Sequence, residues 1–91
     1  MQVNITDYGD KNGRKFIEYT VSGLFRKQID YLNDNLSDET SADGELLILT
    51  LYFDEGLYPF QSDAAKLKMD DFIAREEIEM NVFLSGFLED M

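Results

Sequence analysis

The stretch "LLILTLYF" at residues 46–53 narrows the fold most, because it has almost no polar side to turn toward water. A run this short, rich in Leu, Ile, Thr and aromatics, is a strand signature, whereas crossing a bilayer takes about 20 apolar residues. Near-continuous apolarity, without the strict alternation of a half-wet strand, predicts a central strand over 45–53, buried on both faces. The rest of the chain must therefore supply neighbouring strands and a covering layer.

The flanks meet that demand. "VNITDY" (3–8) alternates Val3 and Ile5 with Asn4 and Thr6, and "RKFIEYTV" (14–21) alternates again. Between them "GDKNG" (9–13) carries turn chemistry, so a β-hairpin with a five-residue connection is expected. Ser22 and Gly23 break the strand and can cap a helix. Phe25, Ile29, Leu32 and Leu36 then follow at intervals of four, three and four, the apolar stripe of an amphipathic helix. "SDETSADG" (37–44) reads as a polar, acidic loop, and "DEGLYPF" (54–60) as a turn around Pro59.

Beyond Ser62, "DAAKLKMDDFIA" places Ala65, Met69, Phe72 and Ile73 at helical spacing behind an N-cap. "EEIEMNVFL" (76–84) alternates Ile78, Met80, Val82 and Leu84 against Glu77, Glu79 and Asn81, a strand pattern. One helix from 62 to about 88 is the competing reading; the four alternations favour helix then strand. The expected order is ββαβαβ, an α+β fold with helices on one sheet. In that fold an N-terminal hairpin, an amphipathic helix, a central strand, a second helix and a C-terminal strand share a single domain, residues 1–91.

What the chain lacks excludes most chemistry. Without Cys there is no thiolate and no sulfur-bound metal, and without His no imidazole base or ordinary zinc site. Carboxylate catalysis needs two acids flanking a cleft, for which 91 residues leave little material. Neither Gly44 nor Gly56 fits the calcium-loop register, and no glycine-rich phosphate loop is present. A non-enzymatic protein without cofactor or metal is expected. "MQVNITDYGD" has neither basic start nor apolar stretch, so a soluble, intracellular protein is expected too.

Charge supplies the functional signal. Residues 1–27 hold five bases and three acids; residues 28–91 hold sixteen acids and three bases, and the net charge is −11. Such a field repels nucleic acid and anionic membranes and favours basic partners. Its most ordered element is Asp30, Asp34 and Asp38, four residues apart on the polar side of the first helix. Like charges at that spacing repel by about 0.2–0.5 kcal/mol per pair. Their axial separation of about 6 Å is comparable with the step between successive DNA phosphates. Glu39 and Asp43 can extend the row, and Asp54, Glu55, Asp70, Asp71, Glu76, Glu77 and Glu79 can join it if they share one surface. The plain alternative is a solvated face; halophilic acidity is another, though it would not spare the first 27 residues. Tyr52, Phe53, Tyr58 and Phe60 read as core rather than as a recognition patch. Phe83, Phe87, Leu88 and Met91 form an apolar tail that completes the core or docks a second subunit.

On that row and those acidic pairs the chain resembles the phage-encoded DNA-mimic anti-restriction proteins, small acidic inhibitors of host DNA-binding enzymes. The resemblance lies in length and composition, for such mimics share no diagnostic motif. It implies a homodimer, with Phe83, Phe87 and Leu88 as candidate contacts. It also implies a host restriction endonuclease of the class that cuts modified-cytosine DNA as partner, met in the cytoplasm of an infected bacterium. The other function the residues allow is an interaction module that docks on host transcription or defence machinery through the apolar C-terminal segment.

Overall fold

The computed structural model describes residues 1–36, 39–53 and 69–91, without the side chains of Lys11, Met69 and Asp70. Four antiparallel strands form one sheet: β1 (Gln2–Lys11), β2 (Arg14–Ser22), β3 (Glu39–Asp43) and β4 (Leu46–Phe53), in the order β1-β2-β4-β3. Two helices complete it, α1 (Arg26–Asn35) between β2 and β3 and α2 (Met69–Glu89) after β4. The class is α+β, as the sequence predicts.

Both hairpins turn on two residues, a tighter connection than the expected 9–13 loop. Lys11 pairs with Arg14 across Asn12 and Gly13, whose φ values of 55° and 82° match a type I′ turn. That geometry agrees with the right-handed twist of the strands, so both strands run on into the turn. Asp43 pairs with Leu46 across Gly44 and Glu45, with Gly44 at φ 62° in the first central position.

β3 is a correction to the loop expected at 37–44. Its residues are mostly exposed, with Thr40 half-buried, so side-chain pattern gives no strand signal. Backbone pairing to β4, from Glu39 opposite Thr50 to Asp43 opposite Leu46, makes the strand.

β4 lies inside the strand order, between β2 and β3. Its Leu47 and Leu49 are fully buried opposite Val21 and Tyr19 of β2, and with Ile17 they form the covered face. Ile29 and Leu32 of α1 and Phe72, Met80 and Leu84 of α2 close over that face. α2 packs against β1, and α1 against β3 and β4. Neither described helix covers the other face, and burial there is partial. There Ile48 and Tyr52 are half-buried among cross-strand neighbours, and Thr50 is buried opposite Glu18 and Glu39.

α1 begins later than Ser22 and Gly23 would set it. Gln28 reaches back to accept the Phe25 N–H at 2.8 Å, which satisfies a donor at the helix start. Phe25 therefore sits at the cap, 79% exposed, and the buried stripe is Ile29 and Leu32 with Leu36 packed beside them.

The predicted C-terminal strand over 76–84 is instead the middle of α2. The alternating residues divide between two sides of the helix. Met80 and Leu84, one turn apart, are buried, while Ile78 and Val82, also one turn apart, are 64% and 67% exposed. Four alternating apolar residues are thus compatible with two i, i+4 pairs on opposite sides of a helix. The expected start of that helix at Ser62 lies outside the described residues.

Candidate functional site

Exposed acidic residues of the middle of the chain lie on α1 and on the adjacent edge strand β3. Asp30 and Asp34 are exposed on α1, and Glu39 and Asp43 are exposed on β3. Thr40 ties the two elements together, its hydroxyl donating 2.8 Å to Asn33 Oδ1 on α1. Asn33 lies on the side of α1 that carries Asp30 and Asp34, so that bond sets the helix acids beside the strand.

Neighbours modify this strip. Arg26 Nε lies 3.4 Å from Asp30 Oδ1, an i, i+4 pair on an exposed surface. The same guanidinium reaches the Gly44 carbonyl at 3.5 Å, linking the start of α1 to the β3–β4 turn. Glu39 accepts the Tyr52 hydroxyl at 2.7 Å, and Arg14 stacks 4.5 Å from the centre of the Tyr52 ring. The hydrogen bond to Glu39 holds the Tyr52 proton in place and pushes its pKa above the ordinary value of a phenol. Asp34 and Asp43 have no ion-pair partner among the described residues.

The acids of α2 stand elsewhere. Glu76 and Glu77 are half-buried and Glu79 exposed, gathered around Tyr19 of β2 and the β1 edge, at the other end of the strand order from β3. Glu77 Oε2 accepts the Ile5 backbone N–H at 2.7 Å. Burial raises the Tyr19 hydroxyl well above its usual range, with Glu76, Glu79 and Glu77 adding to the effect. Burial also raises the Glu76 carboxyl, and the nearby Glu79 charge adds to it while Arg75 opposes it. Asp71 is exposed on α2. Asp38, Asp54 and Glu55, and the side chain of Asp70, lie outside the described residues.

The structure therefore places Asp30 and Asp34 on α1 and Glu39 and Asp43 on the adjoining strand, whose register turns the latter two to the face away from α1, and it sets the Glu76, Glu77 and Glu79 group apart from all four. Among the described residues no cluster of three or more Asp or Glu is disposed to hold a metal ion, and no helix is long and apolar enough to span a membrane.

The candidate dimer contacts divide as well. Phe87 and Leu88 pack against the core, with the Phe87 ring centre 5.7 Å from that of Tyr31 on α1. Phe83 is half-exposed, 6.0 Å from Phe87. The apolar residues that α2 leaves most open are Ile78 and Val82, which the strand pattern had disguised; a helical wheel would have set them apart from Met80 and Leu84.

No curated protein matches this sequence. Residues 2–90 match the family described as a family of unknown function, DUF5750, and the chain belongs to that family.

Proposed function

We propose that this protein is a non-enzymatic binding protein whose α1–β3 carboxylate strip occupies a basic, nucleic-acid-binding groove on another protein. The observation that carries this reading is the pair of exposed acid rows on adjoining elements, Asp30 and Asp34 on α1 and Glu39 and Asp43 on β3, with the two elements tied by the Thr40–Asn33 hydrogen bond. Asp30 and Asp34 are separated by about 6 Å along the helix, near one phosphate step. Glu39 and Asp43 are separated by about 13 Å along the strand, near two. Two regular elements thus hold acids at intervals that suit a site built for a phosphate backbone. The net charge of −11 draws such a partner from a distance and makes association fast and salt-sensitive. The resemblance to phage DNA mimics supports a narrower form, in which a dimer of this chain blocks a restriction endonuclease.

The test joins Asp30→Asn, Asp34→Asn, Glu39→Gln and Asp43→Asn in one variant. Wild-type protein on a solid support should retain basic DNA-binding proteins at about 0.05 M salt and release them at about 0.5 M. Added free, it should displace duplex DNA from those proteins, and the folded variant should not. Equal displacement by the variant would remove the strip from the mechanism.

A second reading has its own observation. Phe83, Ile78 and Val82 stand exposed on α2, so an apolar docking surface exists apart from the acids. Binding that persists as salt rises would favour it.

A further inference from the structure

A helix lying on a sheet ordinarily turns polar residues outward, and α2 adds to its exposed Asp71, Arg75 and Glu79 an exposed apolar stripe. Ile78 and Val82 are open to solvent, and exposed Ala74 continues the stripe one turn earlier. This stripe is one wall of a groove of about 370 Å³ whose other wall is Met1, Gln2 and Val3. β1, to which those last residues lead, is an edge strand with β2 on one side alone.

The backbone of that edge is accounted for at two places. Ile5 gives its N–H to Glu77 at 2.7 Å, and the Met1 carbonyl accepts from Asn81 Nδ2 at 3.4 Å. Because the Ile5 N–H points away from β2, strand alternation turns the N–H and C=O of Val3 to the same free edge. Between the groups held by Glu77 and Asn81, the main-chain N–H and C=O of Val3 thus face the groove beside an exposed apolar helix stripe. Sites that bind peptides by adding a strand offer these two elements together: main chain for affinity and a pocket for alternate side chains.

We propose that the β1–α2 groove is a strand-addition site for an extended peptide segment in which apolar residues alternate with basic ones. Charge decides the occupant. Glu77 lines the groove and Asp71 is exposed one helical turn before Ala74 and Arg75, while the Arg75 guanidinium is drawn over the Phe72 ring at 4.9 Å. Alternate apolar side chains of the peptide rest on Ala74, Ile78 and Val82, and the basic ones lie in the field of a chain of net charge −11. A second copy of this chain would bring the same −11 and set Glu77 against Glu77. This site is separate from the α1–β3 strip, so each can fail without the other.

The test is an NMR titration with short capped peptides alternating valine with lysine, or valine with glutamate. The lysine peptide should shift the amides of residues 2–5 and the methyls of Ile78 and Val82, and the glutamate peptide should not. Methylating the peptide nitrogens along one edge should weaken binding by at least about tenfold, as main-chain pairing requires. Ile78→Ser with Val82→Ser, both exposed, should keep the fold and weaken binding by a similar factor, at least about tenfold. Equal binding of the two peptides, undiminished affinity in the double variant, or shifts confined to Asp30, Asp34, Glu39 and Asp43 would overturn the proposal. So would a dimer in sedimentation equilibrium that the double variant converts to monomer, because the occupant would then be a second copy.

Discussion

The Glu77 carboxylate on α2 accepts the backbone N–H of Ile5 on the free edge of β1 at 2.7 Å, across 72 residues of sequence. A charged acceptor on a part-buried amide contributes more than a neutral one, and its loss leaves that amide without a partner. Glu77→Ala should lower unfolding free energy by about 1–3 kcal/mol in a urea titration. The Ile5 amide should also exchange faster with solvent than in the wild type. Unchanged protection at Ile5 would show that the bond is not formed in solution.

Glu76 should make stability depend on pH. Its folded pKa is raised by burial and by Glu79, so folding favours the protonated form. The penalty is absent at low pH, develops as pH rises from the ordinary Glu value through the raised folded one, and is complete at neutrality. Glu76→Gln should therefore stabilise the protein at neutral pH by about 0.5 kcal/mol, a modest value because water screens a half-buried group. The gain should vanish in acid. Thermal melts of both proteins across that range check the sign.

The acidic surface should repel itself. Raising salt from about 0.05 M to about 1 M shortens the screening length from about 14 Å to about 3 Å and should raise the melting temperature by about 4–8 °C. The Asp30, Asp34, Glu39 and Asp43 quadruple variant should melt higher than wild type at low salt and respond less to added salt. A flat salt response in the wild type would mean that the acids are compensated in place.

Leu49 and Phe25 should behave oppositely on truncation. Leu49 is fully buried opposite Tyr19, and Leu49→Ala should destabilise by about 2–5 kcal/mol through lost transfer energy and a residual cavity. Phe25 is 79% exposed at the helix cap, and Phe25→Ala should change stability by less than about 0.5 kcal/mol. Denaturant midpoints measured side by side decide it.

The residues themselves showed how far sequence could be read. Pattern identifies the buried side of two elements: Ile17, Tyr19 and Val21 on β2 follow alternation and Ile29 and Leu32 on α1 follow helical spacing, whereas the near-continuous apolar run of β4 does not mark Leu47 and Leu49 as its covered side. β3 carries no side-chain signature because Glu39, Ser41, Ala42 and Asp43 are exposed, leaving backbone pairing as the force that shapes it. The middle of α2 imitates a strand because Ile78 and Val82, exposed on its outward side, complete a false alternation with the buried Met80 and Leu84. In the candidate site, Asp30 and Asp34 could be grouped by spacing. The docking of α1 beside β3 depends on Thr40 meeting Asn33, a contact that no local pattern encodes.

The strand order β1-β2-β4-β3 also dictates how the chain can assemble. Two of the three pairings are local hairpins closed by two residues each, and they can zip within microseconds of chain collapse. Of the three strand pairings, the β2–β4 seam joins the most distant segments and bears the largest loop-closure entropy, so the encounter of Tyr19 with Leu49 should be the slowest of them to form.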